Sequence, residues 1–134
     1  MLYNVNWQSS QTKQIYNATK SSEELMSYLE KTLMNSGLLK LIGELPVPDK
    51  GREYGVMIYY YKSRPKRRLL SAAPRREHDY IHVVIFNGIL TRGQLIEGGL
   101  ETGKAGDPNP DLKLHTKEEI NTLVDLLVKS LQNG

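Results

Sequence analysis

Two apolar runs joined by a basic connector constrain this chain more than anything else in it. Tyr54-Gly55-Val56-Met57-Ile58-Tyr59-Tyr60-Tyr61 and Tyr80-Ile81-His82-Val83-Val84-Ile85-Phe86 are rich in β-branched and aromatic residues. Both are of strand length. The first is apolar on both faces, which predicts an interior strand. Between the runs, Lys62, Arg64, Lys66, Arg67, Arg68, Arg75 and Arg76 meet no acid before Glu77. The connector from Lys62 to Asp79 has no clear periodicity, and Pro65 and Pro74 forbid a continuous helix through it. It reads as a long loop, an ordered lid or a mobile arm, with Leu69-Leu70 arguing for some docking.

Asn87-Gly88 follows the second run and is the preferred pair for a two-residue type I′ hairpin. That turn sets a register in which Phe86 pairs with Ile89, Val84 with Thr91, His82 with Gly93 and Tyr80 with Leu95. Met1 to Trp7 alternates as a half-buried strand, and Leu38 to Leu45 reads as another, ended by Pro46 and Pro48. Two helices complete the pattern. Ser21-Ser22-Glu23-Glu24 forms a capping box before Leu25, Met26, Leu29, Leu33 and Met34, with Gly37 as the left-handed stop. Thr116-Lys117-Glu118-Glu119 forms a second box before Ile120, Leu123, Val124, Leu127 and Leu131. The methionines read as core filler, and Gly98 to Pro110 reads as loop. The expected architecture is a single domain over residues 1–134 of the α+β class. It has a mainly antiparallel sheet of about five strands with two helices packed on one face.

At 134 residues, with 39% apolar and 25% charged residues, the chain is composed like a folded soluble protein. It has no cysteine, which excludes disulfides, thiolate metal sites and a cysteine nucleophile. No secretory pattern opens the sequence and no apolar run reaches membrane-spanning length, so the expected location is cytoplasmic, away from membranes.

Several chemistries fail on spacing. His78 and His82 lie about 13 Å apart on a strand at roughly 3.3 Å per residue, too far for one metal ion. Gly98 to Ala105 approaches a phosphate-loop pattern, but Ala105 replaces the magnesium-binding hydroxyl and Gly106-Asp107-Pro108 begins no helix. Asp107, Asn109, Asp111 and Glu118 fall at calcium-loop positions, yet Leu112 occupies the place of the required glycine. Ser71, the histidines and Glu77 or Asp79 supply catalytic residue types that nothing holds together. No cofactor and no metal site is expected.

What is left is binding. Net charge is only +3, while Lys62 to Asp79 holds seven cations against two acids. Such a concentration suits phosphate or an acidic partner. Gly93 opposite His82 leaves room beside the imidazole, with Tyr80 on the same face and Tyr59 or Tyr61 on a neighbouring strand. The sequence therefore points to a non-catalytic binding protein for a phosphate-bearing ligand, a nucleotide or single-stranded nucleic acid. Arg64, Lys66, Arg67, Arg68, Arg75 and Arg76 would neutralise phosphate. Tyr59, Tyr61, Tyr80 and His82 would stack or hydrogen-bond, and Gly93 would open the space. The competing expectation is an inhibitor, immunity or adaptor protein that docks an acidic partner surface, with Leu69-Leu70 as its anchor. A homo-oligomer through a sheet face or edge is also compatible.

Overall fold

The structure is a computed structural model that describes residues 19–37, 57–61, 64–74 and 78–132. The expected strands at Met1 to Trp7 and Leu38 to Leu45 lie outside the described residues. The rest forms an α+β fold with an antiparallel sheet. In chain order it comprises α1 (Lys20–Asn35), β1 (Met57–Tyr61), β2 (Arg64–Pro74), β3 (Ile81–Ile85), α2 (Arg92–Glu97), β4 (Glu101–Thr102), β5 (Asp111–Leu114) and α3 (Lys117–Gln132). The sheet order is β1-β2-β3-β5-β4, with every neighbouring pair antiparallel. Among the described residues no helix is long and apolar enough to cross a membrane.

Strand alternation divides β3 and β5 into two faces. Ile81, Val83, Ile85, Leu112 and Leu114 are fully buried on one. There they join Leu25, Met26, Leu29 and Leu33 of α1 and Ile120, Leu123, Val124 and Leu127 of α3 in one core. Each such leucine or isoleucine contributes about 1.5–3 kcal/mol by leaving water. The two helices touch each other, and Tyr28 of α1 donates to Asn121 of α3 at 2.8 Å. His82, Lys113 and Asp111 take the opposite, polar face, half-exposed.

Helix α1 starts earlier than its sequence suggests. Thr19, not Ser21, is the N-cap: its hydroxyl accepts from the Ser22 amide at 3.1 Å, while the Ser22 hydroxyl accepts from the Thr19 amide at 2.9 Å. Thr19 also donates to the His78 carbonyl at 3.2 Å, so the cap ties the helix to the strand entry. Gly37 provides the expected stop at φ 75°. Met26 is buried as core filler, whereas Met34 is 45% exposed and falls off the stripe. Buried on the same helix, Glu30 accepts from the Tyr59 hydroxyl at 3.3 Å, and burial pushes its carboxyl up to about 7 against that hydrogen bond.

The connector is the main departure from the sequence reading. Arg64–Pro74 is an eleven-residue strand between β1 and β3, and everything from Leu69 to Pro74 is buried. The tyrosine run, expected inside the sheet, ends the order of the described strands. Small side chains at Ser71, Ala72 and Ala73 let β2 fit between two apolar neighbours despite weak strand propensity, a case of packing overriding preference. Pro65 sits near the strand start and Pro74 at its end, where a missing ladder donor costs least. The ladder with β1 slips twice, at Tyr59/Tyr60 and Tyr60/Tyr61, so the arginine-rich half of β2 is bulged.

The second departure follows Asn87-Gly88. Both residues are left-handed, at φ 61° and 64°, and the Ile89 amide returns to the Phe86 carbonyl at 3.3 Å, as a type I′ turn requires. Yet the expected hairpin partner strand does not form. Thr91 and Gln94 make a reciprocal capping box that starts α2, and this claims Thr91, Gly93 and Leu95 for a helix. The neighbours of β3 are β2 and β5 instead: His82 faces Ala73 on one side and Lys113 on the other.

Candidate functional site

On the polar face of the sheet, β3 and β5 place His82, Asp111 and Lys113 together, with Tyr80 just before β3. His82 and Lys113 are ladder partners, and Lys113 also faces Glu101 across β4. Asp111 stands opposite Val84, two pairs along on the same face, and its Oδ2 meets His82 Nε2 at 2.8 Å. At the other end of the row, Tyr80 packs its ring 5.2 Å from that of His115 and 5.4 Å from that of His78, the latter stacked at 21°. The Lys113 ammonium sits 5.3 Å from the Tyr80 ring centre, within cation–π range.

The loop before β5 closes the site into a cleft of about 290 Å³ lined by Tyr80, His82, Gly103, Lys104, Ala105, Asp111 and Lys113. A Cβ at Gly103 would collide with the Asp111 carboxylate, so glycine there lets the loop approach the carboxylate closely. Its amide donates to the Asp111 carbonyl at 2.9 Å, and the Ala105 amide donates to Asp111 Oδ1 at 2.9 Å. Partial burial works to raise the Asp111 carboxyl, but the His82 hydrogen bond and the Ala105 amide outweigh it and hold the group below its ordinary value. Asp111 is therefore an ionised acceptor, and the His82 atom facing it, Nε2, carries the hydrogen.

A second histidine–carboxylate pair flanks the first. His115 Nε2 lies 3.1 Å from Glu101 Oε2, and that hydrogen bond lowers the Glu101 carboxyl. The other acidic and amide side chains of the 101–118 segment serve the frame. Asp107 Oδ1 accepts from the Arg92 amide at 2.8 Å, and Asn109 Oδ1 accepts from the Asn87 amide at 3.1 Å. Glu118 lies in the first turn of α3. The calcium-loop spacing thus resolves into separate structural roles, and among the described residues no group of three metal-ligating side chains assembles.

Of the residues singled out from sequence, the cleft brings together Tyr80 and His82. Tyr59 is fully buried on the helix-facing side, bonded to Glu30, and has no ring face to offer a ligand. Arg68 is exposed with its guanidinium 5.7 Å from the Phe86 ring centre. Gly93 lies in α2 and opens no space beside His82. Tyr61 ends β1, and Arg64, Lys66 and Arg67 lie in β2, but their side chains fall outside the described residues, as do Arg75 and Arg76 altogether. Sequence reading missed Lys104, Asp111, Lys113 and His115. The signal was present: Asp111-Leu112-Lys113-Leu114-His115 alternates polar and apolar at strict period two. No family model matches the chain, and no curated protein or solved structure matches it.

Proposed function

We propose that this protein binds a phosphate-bearing ligand, a nucleotide or a stretch of single-stranded nucleic acid, in the cleft between β3, β5 and the 103–105 loop. The observation that carries the reading is the convergence of Lys104 and Lys113 on a cleft whose wall is Tyr80 and His82. Among the residues lining the cleft two ammonium groups oppose a single carboxylate, Asp111, which is already occupied by His82 and the Ala105 amide, while Glu101, the ladder partner of Lys113, lies outside the lining. The surplus of positive charge selects an anion. His78 on Tyr80 forms an aromatic column that a base extends, since every base has a face to stack. The arginines of the connector, which precede Tyr80 in the sequence, add sequence-independent attraction for a longer strand.

Titration calorimetry tests the reading with adenosine and uridine nucleotides, a short deoxythymidine oligonucleotide and inorganic polyphosphate, at about 50 and 200 mM salt. Base-bearing ligands are expected to bind better than polyphosphate. Tyr80→Ala should weaken the oligonucleotide by about 1–3 kcal/mol, and Lys113→Ala should lower its salt slope by about one. Equal binding of all polyanions, unmoved by either substitution, would overturn the cleft as the site.

A further inference from the structure

The carboxylates around the cleft are committed and its lysines are not. Asp111 faces His82 at 2.8 Å and Glu101 faces His115 at 3.1 Å, and among the described residues neither Lys104 nor Lys113 joins an ion pair. The Lys113 ammonium rests over the Tyr80 ring instead. The cleft is also stopped at one end. Glu101 and Thr102 pair with Lys113 and Leu112, the Gly103 amide donates to the Asp111 carbonyl, and the Ala105 amide donates to the Asp111 carboxylate. Gly103 lies so close to that carboxylate that a Cβ would collide with it, so no channel runs between the loop and β5. Lys104 belongs to this stop. Tyr80 stands beyond the His82–Lys113 pair, at the far end of the row.

We propose that the cleft recognises a nucleotide by a terminal phosphate, a phosphomonoester, and not by the diester linkages inside a strand. The inference rests on the reading that the cleft takes a nucleotide or a single strand, and it gives both ligands one shared chemistry: a base next to a phosphate with a single ester bond. The stop comes first. A strand that stacks a base at Tyr80 and runs its next phosphate towards Lys104 meets the loop, so the strand ends there. Size agrees, because a cleft of about 290 Å³ lies at the lower limit for small-ligand sites and has room for one nucleotide unit, not a run of them. Charge agrees as well. A phosphomonoester carries about −1.5 to −2 at neutral pH, whereas each linkage inside a strand carries a single negative charge. Two ammonium groups match the former, and the three donors on each suit the several free oxygens of a terminal phosphate.

The test measures binding to the full chain by calorimetry, using thymidine 5′-monophosphate, its phosphate methyl ester and thymidine. A short deoxythymidine strand is added in four forms: phosphorylated at the 5′ end, phosphorylated at the 3′ end, hydroxyl at both ends, and closed into a circle. The monophosphate should bind at least about 10-fold more tightly than its methyl ester, which keeps the base and sugar and loses one charge. An end-phosphorylated strand should exceed the circle by a similar factor. Lys104→Ala should bring monophosphate and methyl ester to within about threefold of each other. Lys104 is exposed, so its removal costs no packing, and Lys129→Ala, an exposed lysine of α3 on the other side of the sheet, should leave the preference intact. A mononucleotide that equals the end-phosphorylated strand identifies free nucleotide as the source of the phosphate, and a strand that exceeds it identifies the strand end. Both uphold the monoester. Equal binding of monophosphate and methyl ester, with the circle as good as the phosphorylated strands, overturns terminal recognition and leaves the binding reading standing. A preference that Lys104→Ala retains in full overturns it too, because the phosphate then lies away from the loop. Failure of every nucleotide and strand to bind removes both readings.

Discussion

Asp111 reaches His82 diagonally across the β3–β5 ladder, bonding at 2.8 Å to a ring that stands two pairs away from it. The same carboxylate accepts from the Ala105 amide and thereby fixes the loop that carries Lys104. One side chain thus sets both the orientation of the imidazole and the position of the cleft wall. Asp111→Asn keeps the shape but loses the ionised acceptor. It should cost about 1–3 kcal/mol in urea unfolding and weaken ligand binding. A substitution that leaves both unchanged would show that the two hydrogen bonds do not persist in solution.

The pH dependence of that carboxylate has a definite sign. Its folded value is depressed, so its contribution to stability is present at neutral pH and is lost as pH falls through the ordinary aspartate value and below. Acid unfolding of Asp111→Asn should accordingly be shallower than that of the unaltered protein in this range. Superimposable acid curves would count against the hydrogen-bonded pair.

Glu30 behaves in the opposite sense. Its carboxyl rises from 4.5 to about 7 because burial disfavours the charge. The native state holds a proton that the unfolded chain has released, so stability falls as pH rises from 4.5 to 7 and then levels. The loss should be about 3 kcal/mol. Glu30→Gln keeps a partner for Tyr59 and should remove this slope, which denaturant unfolding at pH 5 and pH 8 measures directly. Parallel pH profiles for the two proteins would refute the buried carboxyl.

Gly103→Ala tests the close approach of the loop to Asp111. The added methyl meets the carboxylate, which must swing away from the loop amide and the His82 ring. A loss of about 1–3 kcal/mol is expected, with ligand affinity reduced alongside. Gly106→Ala, where a Cβ meets nothing, is the control and should be neutral for binding.

Leu70→Ala tests whether the basic connector is a strand. Leu70 is fully buried and pairs with Tyr59 and Ile85. Truncation should cost about 2–5 kcal/mol, whereas a surface arm would lose under about 0.5 kcal/mol. Thermal and chemical unfolding separate the two without ambiguity.

How much of this was legible in the sequence depended on whether the signal was local. The capping box at Thr116 and Glu119, the Gly37 stop, the left-handed Asn87-Gly88 turn and the strand at Ile81–Ile85 are set by near neighbours and could be read directly. The fate of the chain after Asn87-Gly88 was not, because Thr91 and Gln94 offered a helix start that competed with the hairpin. Arg64–Pro74 was hidden for a different reason: its residues favour no strand by themselves, and only the two flanking strands make Leu69, Leu70 and the alanines a core element. At the site, Tyr80 and His82 were legible because they sit on an obvious strand. Lys104, Asp111, Lys113 and His115 were obscured by the glycine- and proline-rich stretch before them, although the alternation from Asp111 to His115 marked a strand with one polar face.

The separation of 29 positions between His82 and Asp111 makes the cleft a gauge of the whole molecule. In an unfolded chain two such residues wander about 30 Å apart, and the wall made by Tyr80 and His82 parts from the 103–113 segment. Occupancy therefore counts only molecules whose β5 has joined β3. A fluorescent ligand for this cleft would serve as a live census of intact copies, reading out every substitution made elsewhere in the protein.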